Sequence, residues 1–317
     1  MQEVLIKVLA FVTIIAAGYL AGRSGRLGKD TGQTISKIVF NFTLPCAVVN
    51  AFGQTEFTRD MLWLIPVGVA FTVGSYLVML PFVRRSTRDD KVFYLCNISG
   101  YNIGCFALPF VQAFFPPAQA AAICLFDAGN SFMMSGGTYA LTSVIAGPAE
   151  GGEGQAGTPK RQNPFLLVVR RLFSSVTICA YVVLIVMAVA DVAVPAQVVQ
   201  FTQPMANANA FLAMFMLGLM TSFQVDPAKL GKVARLLGLR LALNVAFTLV
   251  ALLALPFSPI VKLILCMGVW APEGAMGPVF TMWCRGDQGL AGFANTITIL
   301  VAIVAMTSIV MATGAMG

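Results

Sequence analysis

The sequence predicts an all-α membrane protein with ten transmembrane helices, arranged as two inverted five-helix repeats. Hydrophobic residues make up 58% of the chain and charged residues 10%, against about 45–50% and about 25% in soluble domains. Ten apolar runs follow one another along the chain, each near or above the ~20 residues that cross the hydrocarbon core of a bilayer. The basic residues also alternate between the two sides of the predicted membrane. We therefore expect a polytopic membrane protein.

The predicted spans are apolar runs bounded by polar or charged residues. The first runs from Val4 to Leu20 and is followed by Arg23 and Arg26. A cleaved signal peptide carries its positive charges before its apolar core, so we expect a retained span. The other predicted spans cover residues 31–53, 61–83, 92–115, 119–146, 164–190, 203–222, 233–256, 260–283 and 289–313.

The basic residues predict the orientation of these spans. Of the twenty Lys and Arg residues, only Lys7, Arg59 and Lys262 fall on one side of the membrane; Arg240 is counted among those on the other side. Basic loops remain in the cytoplasm, so both termini are predicted to lie outside, across a cytoplasmic (inner) membrane. The same loops account for the net charge of +7, and we expect no nucleic-acid partner.

A polar stretch from Gly147 to Pro159 divides the chain into two halves. Its Gly-rich composition predicts a flexible linker without a packed core. We therefore expect a first five-helix repeat at residues 1–146, a cytoplasmic linker at 147–163 and a second repeat at 164–317. Because five is odd, the second repeat is inverted relative to the first, an arrangement typical of secondary transporters.

Two predicted spans carry residues that interrupt a helix at bilayer depth. Span four contains Asn97, Asn102 and Pro109, and span nine contains Pro272 and Pro278. An unsatisfied backbone group in hydrocarbon costs several kcal/mol, and interrupted spans at matching positions of two halves indicate a transporter's binding site. Pro109 and Pro278 are each expected to open a half-helix, whose positive N-terminal end favours an anion.

Asp127 and Glu273 are the acidic residues predicted to lie deepest in the membrane. Inserting such a group costs about 2.5–3.5 kcal/mol on translocon scales, so each is a functional-site hypothesis. At about 1.5 Å per residue, both carboxyls and Asn102 come to lie near the midplane. The cost favours the protonated carboxyl, and we expect these two residues to couple transport to H+. The structural alternatives are that Asp127 locks helices together and that Glu273 caps a half-helix.

The predicted substrate-binding residues are amides and prolines near the two interruptions. We expect no Lys or Arg within the membrane to pair with a substrate carboxylate, so helix ends and amides would hold the anion. These residues are Asn41, Pro45, Asn97, Asn102, Pro109, Asn130, Asn207, Pro272 and Pro278.

No metal and no organic cofactor are expected. The seven cysteines include no CxxC pair, and the chain has no histidine, so zinc sites and a disulfide framework lack their ligand patterns. The chain has neither the HExxH motif of metalloproteases nor the GxxxxGK loop of primary pumps. We therefore expect neither class of protein. An intramembrane aspartyl protease needs two aspartates, but Asp127 is the only aspartate at depth.

Several motifs resemble bacterial members of the auxin efflux carrier family. In chain order they are Gly18–Arg23, Phe42–Pro45, Asn102–Gly104, Leu108–Phe110 and Asp127–Asn130. The resemblance covers nearly the whole chain. It implies a scaffold part and a transport part, with spans four and nine crossing near the substrate at the segments that carry Asn102, Pro109, Pro272 and Pro278. It also implies homodimers formed through scaffold helices.

The resemblance implies transport of organic anions. Plant relatives export auxin, and bacterial relatives are associated with malate, malonate and similar small acids. Two features depart from the family: the central loop is short, and Glu273 is not a regular family residue. We expect a secondary transporter that works by alternating access with H+ as the coupling ion. A Na+-coupled carrier resembling the bile acid symporters, which share the crossed helices, and a non-transporting receptor remain the alternatives.

Overall fold

The computed structural model describes residues 2–28, 30–55, 57–147 and 174–313. Within these ranges the regular structure is helical, and the only β feature is an isolated bridge between Tyr101 and Glu273. The predicted all-α class is therefore confirmed. Apart from Gly147, the predicted linker lies outside the described residues, as does the first part of predicted span six.

The α-helices alternate between long continuous helices and shorter interrupted ones. In chain order they are α1 (Gln2–Arg23), α2 (Thr31–Ile38), α3 (Leu44–Gly53), α4 (Leu64–Val83), α5 (Arg88–Ile98), α6 (Leu108–Phe114), α7 (Ala120–Phe132), α8 (Thr138–Ala146), α9 (Val176–Val189), α10 (Ala196–Met220), α11 (Leu230–Leu253), α12 (Pro259–Val269), α13 (Gly277–Trp283) and α14 (Gln288–Thr313).

Five helical stretches of the described chain are long and apolar enough to cross a membrane: α1, α2 together with α3, α4, α11 and α14. The predicted spans four and nine are each divided, into α5 and α6 and into α12 and α13. The predicted span at 203–222 corresponds to α10, which begins seven residues earlier than expected. Its first turns contain Gln197 and Gln200. These polar side chains lower the local hydropathy, so the apolar run begins later than the helix.

Among the described residues, three π-helical turns interrupt or extend the helices. They cover Val39–Thr43 between α2 and α3, Ile103–Ala107 before α6, and Met133–Gly137 between α7 and α8. In a π-helical turn each hydrogen bond spans five residues and not four, and such turns are frequent at functional sites. All three turns belong to the predicted spans two, four and five.

The helices pack as two groups. The first helix group comprises α1, α2, α3, α9 and α10, and the second comprises α4 to α8 and α11 to α14. The first group thus takes the first two predicted spans of each half, and the second takes the last three. The main contacts between the groups are those of α3 and α9 with α7, of α10 with the π-helical turn before α6, and of α1 with α14.

The first group is held by a close approach of α1 and α10. Gly18 of α1 faces the carbonyl of Phe215, and Gly218 of α10 faces the carbonyl of Ile15. A Cβ atom at either glycine would overlap the opposing backbone oxygen. Small residues that let helix backbones approach closely are typical of helix contacts in membranes, so these glycines set the spacing of the two helices.

We predict that Gly218→Ala lowers the thermal unfolding midpoint of the purified protein in detergent. The added methyl group meets backbone that no rotamer change can move, and such overpacking costs about 1–3 kcal/mol. The matched control is Gly238→Ala on α11, where no atom lies within 4 Å of the added Cβ. The control is expected to keep or raise the midpoint, because alanine favours helix; equal midpoints for the two variants would contradict the close approach.

Candidate functional site

The two interrupted segments meet and pair through their backbones. After α5 the chain turns extended at Ser99, and Gly100 adopts a left-handed φ of 86°. Tyr101 then pairs with Glu273, and the Asn102 N–H donates to the carbonyl of Pro272 at 2.9 Å. We call residues 99–102 and 270–276 together the crossover. Each break supplies backbone hydrogen bonds that the other lacks.

Arg240 of α11 binds the crossover from one side. Its Nη1 donates to the Ile98 carbonyl and its Nη2 to the Gly100 carbonyl, each at 2.9 Å. The guanidinium also lies 5.0 Å from the centre of the Tyr101 ring. Only 4% of Arg240 is exposed. The charge therefore faces the C-terminal end of α5, where the helix dipole is negative, and satisfies carbonyls that the end of α5 leaves free.

The position of Arg240 corrects two expectations from the sequence. Arg240 was counted with the basic loop residues, and no Arg was expected at depth, yet the side chain is buried well inside α11. A signal was available, because Arg240 lies seven residues into the predicted span 233–256. The count of basic loop residues falls by one, and the asymmetry between the two sides remains.

Asp127 of α7 is held by two donors. Its Oδ1 accepts from Asn130 Nδ2 and its Oδ2 accepts from the Tyr181 hydroxyl, both at 2.8 Å. Asn130 also binds the backbone of Tyr101: its Oδ1 accepts from the N–H at 3.0 Å, and its Nδ2 donates to the carbonyl at 2.9 Å. Since α9 carries Tyr181, the carboxyl connects the crossover to the first helix group.

A cavity of about 320 Å³ lies beside this cluster, between the two helix groups. Each of the three π-helical turns contributes to its wall, and Asp127 and Asn130 face it together with Asn102. No Lys or Arg is among the described residues that line it. Its polar lining includes Tyr101, Asn102, Asp127, Asn130, Ser131, Ser135, Ser174, Ser175 and Thr177, and its apolar lining includes Phe40, Leu44, Met134, Ile178 and Trp283.

Glu273 and Asn97 lie outside this cavity, on another side of the crossover. Glu273 is fully buried, and its N–H donates to Thr298 Oγ1 at 3.0 Å. Asn97 is also fully buried, and its Nδ2 donates to Thr281 Oγ1 at 3.0 Å. The two predicted coupling carboxyls, Asp127 and Glu273, thus occupy separate surroundings.

The remaining predicted site residues fall into two sets. Pro109 and Pro278 each lie in the first turn of a half-helix, α6 and α13, as the sequence predicts, and Pro272 lies in the crossover. Pro45 is buried in the first turn of α3, next to Leu44, and is not itself among the residues that line the cavity.

Asn41 and Asn207 are exposed and bond within their own helices. The Asn41 Nδ2 donates to the Lys37 carbonyl at 2.8 Å, and the Asn207 Oδ1 accepts from Gln203 at 2.7 Å. The structure brings neither asparagine to the cavity. Two other asparagines are buried in this region instead. Asn50 of α3 binds Thr202 of α10, and Asn209 of α10 binds Thr43 of the π-helical turn before α3.

Tyr181 and Tyr101 are site residues that sequence reasoning did not identify. Tyr181 is 2% exposed, and the residues directly before and after it in α9, Ala180 and Val182, are apolar. Its partner Asp127 is 54 positions away in the chain. Nothing local distinguishes this tyrosine from one that anchors a helix at the membrane surface.

The family model described as membrane transport protein matches residues 3–310 of this chain. The chain belongs to this family. The match confirms the resemblance to the auxin efflux carriers. A comparison with curated proteins gave no match. The protein is therefore a multi-pass membrane transporter and not an enzyme.

We predict that Arg240→Met destabilises the transporter. The variant leaves the carbonyls of Ile98 and Gly100 without their donors, and each unsatisfied buried group costs about 1–3 kcal/mol. The thermal unfolding midpoint in detergent should therefore fall clearly. Arg235→Met is the matched control, because Arg235 is exposed on the same helix; a midpoint equally low in the control would show that loss of charge, and not loss of the two bonds, is responsible.

Proposed function

We propose that the protein is a secondary active transporter of small organic anions that works by alternating access and is coupled to protons. The observation that carries the proposal is the cavity between the two helix groups, which contains a buried carboxyl bonded across the boundary between them. A substrate held there contacts both groups at once, so their relative movement changes its access to the two sides.

The size and lining of the cavity support a small carboxylate as substrate. A volume of about 320 Å³ is at the lower end of the range for ligand sites, about 300–1,000 Å³. The unpartnered Nδ2 of Asn102 and the hydroxyls of Ser131, Ser135 and Ser175 offer donors to carboxylate oxygens. Malate and malonate, or a compact auxin-like acid, fit this chemistry.

The position of Asp127 supports proton coupling. An ionised Asp127 and a substrate carboxylate would share one cavity of low polarity, and like charges at short range disfavour each other's charged forms. Anion binding therefore favours the neutral carboxylic acid at Asp127. Each anion then enters together with a proton, and the pH gradient drives the movement of the anion.

The bond between Tyr181 and Asp127 supports alternating access. It joins α9 of the first helix group to α7 of the second, so relative movement of the groups must break or replace it. Ala275 of the crossover lines both the cavity and a larger cleft of about 610 Å³, to which Arg23 and Asn295 also contribute. On this proposal the crossover forms the wall between the substrate and the cytoplasmic cleft.

The division into two helix groups supports the inverted repeat. On this proposal the ten spans form the repeats 1–146 and 164–317 around the linker 147–163, with both termini outside an inner membrane. The first helix group is then the scaffold, through which two copies pair as a homodimer. The second group, which contains the crossover, is the part that moves.

The proposal predicts proton-driven uptake that depends on Asp127. Proteoliposomes containing the full chain are tested for counterflow and for uptake of malate, malonate and indole-3-acetate, with and without a pH gradient and with Na+ or choline as the cation. At least one acid is expected to exchange and to respond to the pH gradient. Asp127→Asn should keep exchange but lose the response to the gradient, because residue 127 can no longer release a proton.

Asp60→Asn is the matched control, since Asp60 is an exposed carboxyl next to α4, and it should transport as the wild type does. Saturable binding without counterflow would support a receptor instead. Uptake that requires Na+ and ignores the pH gradient would support the sodium-coupled alternative. If uptake by the Asp127→Asn variant depended on the pH gradient as fully as wild-type uptake does, Asp127 would have only a structural role.

A further inference from the structure

Three buried oxygen atoms near the crossover have no hydrogen-bond partner. They are Oε1 and Oε2 of Glu273 and Oδ1 of Asn97, and both residues are fully buried. A buried polar atom without a partner loses its hydration without compensation. Three such acceptors close together indicate that a hydrogen atom or a cation between them completes the site.

The orientation of the Asn97 amide is fixed by its surroundings. Its Nδ2 donates to the Phe93 carbonyl at 2.6 Å and to Thr281 Oγ1 at 3.0 Å. The Thr281 hydroxyl gives its one hydrogen to the Gly277 carbonyl at 2.9 Å, so towards Asn97 it can only accept. Reversing the amide would place Oδ1 against the Phe93 carbonyl. The unpartnered atom of Asn97 is therefore its oxygen.

This oxygen and the Glu273 carboxyl both lie beside Gly277. A Cβ atom at Gly277 would lie within 3.0 Å of both Asn97 Oδ1 and Glu273 Oε1. The glycine thus leaves room for the two side chains to approach each other across the first turn of α13. An amide oxygen and an ionised carboxylate are both acceptors, and without a hydrogen between them they repel each other.

No donor lies within hydrogen-bond distance of the Glu273 carboxyl in the described part of the chain. Arg240 directs Nη1 and Nη2 to the carbonyls of Ile98 and Gly100, and the Thr298 hydroxyl donates to the Asn295 carbonyl at 2.7 Å. No ion pair within 4.0 Å joins Glu273 to Arg240 in the described part of the chain. The buried charged and titratable groups on the surrounding elements are Arg240 on α11, Cys96 on α5, Tyr101 in the crossover, Cys284 after α13 and, across the crossover, Asp127 on α7.

Arg240 does not require an ionised Glu273 as its counter-charge. The guanidinium is compensated by two carbonyl oxygens, by the negative end of the α5 dipole and by the face of the Tyr101 ring. A proton at Glu273 satisfies Asn97 Oδ1 without any further ligand. A Na+ ion, by contrast, is a second positive charge next to Arg240.

We propose that Glu273 is a second proton-binding site, which donates a hydrogen bond to Asn97 Oδ1 and thereby holds the crossover closed against α5. When the O–H bond of Glu273 breaks, the proton passes to water entering from the cleft that Ala275, Pro278 and Asn295 line. The remaining carboxylate faces the Asn97 oxygen without a donor, so the two separate and the crossover loosens. The role of this step in transport rests on the proposed function, whereas the presence of the proton does not.

Infrared difference spectroscopy of the purified full chain in lipid nanodiscs, titrated from acidic to alkaline pH, tests the proton directly. The wild type should show the C=O stretching band of a buried neutral carboxyl that Glu273→Gln abolishes and Asp127→Asn retains. Asn97→Ala should shift that band to higher frequency, because the acid loses its acceptor. A band that Glu273→Gln leaves unchanged, or that disappears when Na+ replaces choline, would overturn the proposal.

Unfolding measured against pH provides a second reading if Asn97→Ala does not fold. The folded state holds a proton that the unfolded chain releases, so wild-type stability falls as pH rises. Glu273→Gln should flatten this dependence, because the glutamine amide donates to Asn97 Oδ1 at every pH. An equally steep dependence in Glu273→Gln would contradict the proposal. Neither measurement involves transport. Both would therefore still test the proton at Glu273 if the anion-transport proposal failed.

Discussion

The two interrupted helices of this transporter depend on each other for backbone hydrogen bonds that their breaks leave unmade. In a bilayer an unpaired backbone group costs several kcal/mol, so irregular chain survives only where protein receives it. Here the Tyr101–Glu273 bridge, the Asn102–Pro272 bond and the fork of Arg240 supply those partners. The crossover is therefore one cooperative unit, and a change in either segment alters the hydrogen bonds of the other.

Around this unit the polar side chains divide into two clusters with different connections. Asp127 with Asn130 and Tyr181 faces the cavity and reaches across to the first helix group. Glu273 with Asn97 and Thr281 stays within the second group, between α5 and α13. The first cluster is thus placed to sense movement between the groups, and the second to sense whether the crossover itself is closed.

The packing of small residues complements these polar contacts. Gly18 and Gly218 bring the backbones of α1 and α10 together, which makes the first helix group a tight unit. The boundary between the groups instead contains the cavity and is crossed by the Tyr181–Asp127 hydrogen bond. A closely packed group beside a cavity suits movement of one group against the other. π-Helical turns from both groups line that cavity.

The sequence by itself determined the class of the protein, because hydropathy, length and the cost of burying charge act locally along the chain. It located both interruptions, the half-helices opened by Pro109 and Pro278, and the two deep carboxyls Asp127 and Glu273. Only the tertiary structure decided their partners, since Tyr181 is 54 and Arg240 is 142 positions from the groups they bind. The tertiary structure also showed that Asn41 and Asn207 lie outside the site. Packing decides which face of a mostly apolar helix turns towards the site, and composition does not reveal that face.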